Sequence, residues 1–206
     1  SSDRLTKEKI STYLAERGTA KGNPKKQPKK PSKPFDMSKY RQRHVAFHVQ
    51  YDGADFCGFA EQNSEKSGTD ETVEFHIFAA LTKLRLITDR RSCQYSRCGR
   101  TDRGVSAFGQ VIAARVRSSI PLSVPDALVP AHPSETVVDP ATGKCVREID
   151  YCCILNQSLP RAIRVLGWTE VTSEFSARFS CETRTYRYFF PRARLDIAAM
   201  SDAASR

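Results

Sequence analysis

The strongest constraint on the fold is a hydrophobic period that switches from two to about 3.6 and back. In HVAFHVQY, residues 44 to 51, Val45, Phe47, Val49 and Tyr51 alternate with His44, Ala46, His48 and Gln50. That alternation predicts a strand with one buried face. A turn follows at Asp52 and Gly53. From Glu71 onward Phe75, Phe78, Leu81 and Leu84, with Ile77 beside them, recur at steps of three and four. This is the spacing of an amphipathic helix. SCQYSRC (92–98) and GQVIAARVR (109–117) predict two more strands, and DYCCILNQSLP (150–160) a short helix closed by Pro160. AIRVLGWTEV (162–171) and TRTYRYFF (183–190) predict two further strands. The series strand, helix, strand, strand, helix, strand, strand implies an α+β fold of the ferredoxin or RNA-recognition type, an antiparallel sheet with helices on one face.

Charge is distributed unevenly along the 206 residues. Residues 21–43 carry nine Lys or Arg against one acid, whereas residues 44–206 hold 20 bases against 19 acids. The net charge of +10 therefore belongs mostly to the N-terminal stretch, and the part that can fold is nearly neutral. Residues 1–42 read as a basic, proline- and lysine-rich flexible extension, with a short helix possible over 4–18. A globular domain is expected over 43–200. Within it, residues 121–149 contain five prolines and little periodicity, which predicts a loop or insertion. Of the 20 bases after residue 43, 17 are arginine, whose planar fork suits phosphate and base-edge contacts.

The seven cysteines include no CxxC pair, and no signal peptide or membrane-spanning run is present. The expectation is a reducing compartment, cytoplasm or nucleus, with free thiols and no membrane association. His44, His48, His76 and His132 make no ligand spacing with the cysteines, so no metal is expected. No phosphate loop, serine–histidine set or nearby second carboxylate is visible either.

What stands out is CGRTDRGVSAFGQVIAARVRS, residues 98–118. Asp102 lies between Arg100 and Arg103 on a glycine-bounded turn that leads into a buried strand. An aspartate before Arg-Gly is commonly only a turn former. Here Arg100 and Asp102, two residues apart, would share a face if extended, and a nearby guanidinium favours the ionised carboxylate. A lone ionised aspartate suits nucleophilic catalysis or electrostatic support.

GRTDRGVSA, with GQV beginning at Gly109, resembles the catalytic motif of the TruA family of tRNA pseudouridine synthases. YDGADFCGF (51–59) is similar to that family's first strand and turn, LNQSLP (155–160) to its Asn-containing LP segment, and FSARFSCETRTYRYFFPRA (175–193) to its ARFS and YRY segments. The last two are nearest the eukaryotic branch that acts at positions 38 and 39 of the anticodon arm.

The resemblance implies an isomerase that acts on tRNA without a cofactor. Asp102 would be the nucleophile, Arg100 the residue entering the RNA stack, and Tyr186 the aromatic against the target uracil. Gln110 and Arg178 fall in motif segments without an assigned role. It also implies a second α/β half absent from this chain, leaving an exposed apolar edge open to homodimer formation or aggregation. A non-catalytic RNA-binding module of the same fold is the alternative. For it, a carboxylate facing a phosphate-rich ligand would cost affinity.

Overall fold

The computed structural model describes residues 35–60 and 71–205. The short helix expected over 4–18, and nearly all of the basic extension, lie outside the described residues.

Strand β1 (Gln42–Tyr51) is the spine of a four-stranded antiparallel sheet. On one side it pairs with β3 (Ala107–Arg117), which pairs in turn with the two-residue β2 (Ser96–Arg97). On the other side it pairs with β6 (Ile163–Glu170), giving the order β2-β3-β1-β6. Helix α1 (Val73–Lys83) connects β1 to β2, and α2 (Tyr151–Ser158) precedes β6. Apart from the segment between β3 and α2, this is the β-α-β-β-α-β arrangement of ferredoxin-like folds.

The predicted period is visible in the burial, except that Phe75, expected on the buried face of the helix, is 45% exposed. Val45, Phe47, Val49 and Tyr51 join Ile77, Phe78 and Leu81 of α1 and Tyr151 and Leu155 of α2 in one core, so both helices cover the same face. Each helix starts on a side-chain cap. Thr72 Oγ1 accepts from Phe75 N at 3.2 Å, and Asp150 Oδ1 accepts from Cys153 N at 2.9 Å. The opposite face carries Ala46 and Ala113, small enough for Ala177 and Phe175 of the later chain to pack on it.

Residues 121–149 are more structured than their prolines imply. Strands β4 (Thr136–Val138) and β5 (Cys145–Arg147) form a hairpin. The segment is tied to the start of β1 by two arginines that periodicity could not reveal, Arg41 just before the strand and Arg43 within it. Arg41 Nη2 donates to the Val124 carbonyl at 2.5 Å, and its Nη1 pairs with Asp126. Arg43 Nη1 pairs with the buried Glu148 at 2.8 Å and donates to the Pro130 carbonyl at 2.9 Å. Burial alone would push the Glu148 carboxyl up. Donors from Ser118, Arg43, Ile149 and Ser119 instead hold it below the ordinary carboxylate range.

The strand expected over 183–190 does not form. That stretch alternates, but its backbone joins no ladder, and Tyr186, Tyr188, Phe189 and Phe190 are exposed. A strand needs a neighbour of matching length, and β2, the edge beside which the segment passes, has only two paired residues. A third helix, α3 (Ile197–Ala204), follows. Among the described residues, no helix is long and apolar enough to cross a membrane.

Candidate active site

The turn carrying Asp102 is held from three directions. From below, the loop after β1 supplies backbone contacts. Phe59 N donates to the Thr101 carbonyl at 3.0 Å, and Gly104 N donates to the Phe56 carbonyl at 3.2 Å. Two glycines of YDGADFCGF permit this approach. A Cβ on Gly53 would lie 2.0 Å from the Val105 carbonyl oxygen, and one on Gly58, whose φ is +89°, 3.0 Å from that of Thr101. From the core, the buried Tyr51 hydroxyl hydrogen-bonds to Thr101 Oγ1 at 2.8 Å. Burial raises the Tyr51 phenol above its usual range, so it remains a neutral partner.

The third hold is at the foot of the turn. Gln110 is buried on β3, and its Nε2 donates to the Gly99 carbonyl at 2.7 Å while its Oε1 accepts from Cys98 Sγ at 3.0 Å. Arg184 Nε donates to the Cys98 carbonyl at 2.7 Å. Two consecutive carbonyls before Arg100 are thus fixed by side chains from distant parts of the chain. Gln110 was visible as part of GQV. Arg184 gave no signal, because nothing in its neighbourhood distinguishes it from the other arginines of 178–194.

Asp102 and Arg100 line one cleft of about 1170 Å³, with Cys57 and Gly58 from the glycine loop and Arg90, Arg91, Arg97 and Arg103 around them. Asp102 is exposed, and among the described residues its carboxylate accepts no hydrogen bond and forms no ion pair. Nor do Arg100 and Asp102 form a salt bridge, because the chain turns at Asp102 instead of running extended: Val105 N returns to the Asp102 carbonyl at 3.1 Å. The carboxylate therefore lies in a cationic, open site with none of the described residues engaging it. An accessible, unengaged carboxylate is chemically able to act as a nucleophile.

Tyr186 is not among the residues lining this cleft. Its ring is 65% exposed, two residues beyond the anchored Arg184. Arg178 stacks on the neighbouring Phe179, 5.1 Å from its centroid. Among the described residues no group of three His, Cys, Asp or Glu side chains could hold a metal ion.

No family model matches the chain. Individual relatives do. It is 50% identical over 177 residues to the tRNA pseudouridine(38/39) synthase of Bos taurus, covering 86% of this chain and 34% of the relative. It is 38% identical over 203 residues to the protein of the same name from Saccharomyces cerevisiae, covering 97% of this chain and 40% of that one. It is 35% identical over 160 residues to tRNA pseudouridine synthase A of Thermococcus onnurineus, covering 78% and 48%. The chain thus spans between a third and a half of the curated relatives it matches. With the arginine-flanked Asp102 on its braced turn and relatives from mammal, yeast and archaeon that are all named tRNA pseudouridine synthases, the chain is a partial member of the TruA family of tRNA pseudouridine synthases.

Proposed function

We propose that the protein isomerises uridine to pseudouridine in the anticodon arm of tRNA, at positions 38 and 39, with Asp102 as nucleophile. The observation that carries this reading is a carboxylate on a turn braced from three sides, itself engaged by none of the described residues, in a cleft lined by five arginines. The reaction breaks the N1–C1′ bond of uridine, turns the base, joins C5 to C1′, releases the C5 proton to solvent and takes one proton from solvent onto N1, so the product is an isomer of the substrate. Atoms and electrons balance without a donor or a redox partner.

The target nucleotide must leave its stack, at a cost of a few kcal/mol. Arg100, exposed at the rim, enters the vacated space. Tyr186 stacks on the displaced uracil, worth about 1–3 kcal/mol. Its exposure leaves the ring face available, and the Arg184 anchor holds its segment close to the Asp102 turn. Asp102 holds the reacting fragment while the glycosidic bond is open.

Site-selective detection of pseudouridine tests the assignment. Unmodified tRNA transcripts are incubated with the full-length protein, labelled with a carbodiimide and read by primer extension. Pseudouridine at 38 or 39 is the expected product. Product at other positions would refute the site assignment. Failure to form any pseudouridine, with RNA binding intact, would favour the non-catalytic RNA-binding module.

A further inference from the structure

The wall of the cleft contains a charge cluster that the isomerisation itself does not use. Glu74, in the first turn of α1, has no exposed surface, and its two oxygens take Arg90 Nη2 at 2.6 Å and Arg97 Nη1 at 2.5 Å. The Arg90 guanidinium also lies over the Phe78 ring, 4.6 Å from its centroid. Phe78 meets Tyr95 edge-on at 4.8 Å. Arg90, Tyr95 and Arg97 line the cleft that holds Asp102, as do Arg91 and Arg103.

A carboxylate removed this completely from water persists only with charged donors on it. One guanidinium would balance it; two leave the trio with a net positive charge. Arg97 commits Nη1 alone, and its Nε and Nη2 have no partner among the described residues. Arg91 and Arg103 form no ion pair there. The part of the chain that folds is otherwise nearly neutral, so this concentration of guanidinium groups is local. Their planar forks match phosphate oxygens.

We infer that Glu74 holds Arg90 and Arg97 as a subsite for a phosphodiester of the RNA backbone, with Arg91 and Arg103 at its rim. Glu74 is a positioning residue here, not a catalytic one. The inference rests on RNA being the substrate and adds how its backbone is gripped.

Coulomb's law and positioning give opposite signs for one substitution. Glu74→Gln deletes a negative charge beside a polyanion, which by charge alone tightens binding. If Glu74 orients the two forks, binding weakens. The measurement is the Kd of the full-length protein for a fluorescein-labelled tRNA transcript, by anisotropy, from about 50 to about 200 mM KCl.

Glu74→Gln is expected to raise Kd roughly tenfold with the salt slope kept. Arg97→Gln is expected to raise Kd and to lower the slope of log K against log salt by about 1. Equal or tighter binding by Glu74→Gln, or a parental slope in Arg97→Gln, would overturn the subsite. Should either variant fail to fold, Arg91→Gln, at an exposed position, keeps the test open: a slope lowered by about 1 supports the subsite and a parental slope overturns it. Binding is read without catalysis. Lowered slopes in a protein that makes no pseudouridine would keep this inference and end the synthase reading, and parental slopes in an active synthase would do the reverse.

Discussion

Arg184 donates from Nε to the carbonyl of Cys98 at 2.7 Å, a contact across 86 positions of sequence. It fastens the segment bearing Tyr186 to the foot of the turn bearing Asp102. The aromatic and the carboxylate share no secondary-structure element, and this contact ties their two segments directly, beside the Ala177 N to Ser96 Oγ bond. Arg184→Ala is expected to cost at most about 1 kcal/mol of stability, since the bond is exposed. Loosening the geometry is expected to lower kcat/KM roughly tenfold to a hundredfold. Urea unfolding together with turnover on tRNA separates the two effects. Loss of stability and activity in parallel would contradict the positioning role.

Tyr51→Phe removes the hydroxyl that meets Thr101 Oγ1 without changing the ring packed on Phe59. The expected loss is about 1 kcal/mol, with a larger proportional fall in kcat than in RNA affinity. A Kd measured beside kcat distinguishes this from a general loss of fold.

Gly53→Ala is expected to be far more damaging than its size implies. The new Cβ would lie 2.0 Å from the Val105 carbonyl oxygen, backbone that can yield only if the Asp102 turn moves. Gly167→Ala is the control, because a Cβ there meets nothing within 4 Å. Activity lost in the first and kept in the second is expected; comparable activity in both would contradict the close packing of the two loops.

Glu148 gives the fold an acid limit. Its carboxyl lies below the ordinary value of 4.5 in the folded protein, so its contribution is complete above about 4.5 and disappears as pH falls through the lower folded value. Stability measured by urea melts should therefore drop across that acid window. Glu148→Gln, which strips the charge from the buried Arg43 pair, is expected to cost about 3–5 kcal/mol at neutral pH and to flatten that drop. An equally steep acid profile in the variant would contradict the assignment.

The helices and the long strands were legible because each buries one regular face: Val45 to Tyr51 alternate, and Ile77, Phe78 and Leu81 line one side of α1. The expectation for 183–190 failed for the complementary reason. Alternation describes what a strand would bury, not whether a partner exists, and Thr183–Phe190 has no ladder to join. Asp102 and Arg100 were found through the motif they share, and they line one cleft. Glu74 was hidden because an acid in the first turn of a helix reads as a solvated dipole partner. Only the fold brings Arg90 and Arg97 onto it.

The most direct test of the central claim is tritium release from tRNA carrying 5-³H-uridine, comparing the full-length protein with its Asp102→Asn variant. The substitution keeps the size of the side chain and removes its charge, at a position with no hydrogen bond to lose among the described residues. Asp102 as nucleophile requires release by the parent and none by the variant, with the variant still binding tRNA. Release that survives in Asp102→Asn would contradict the account.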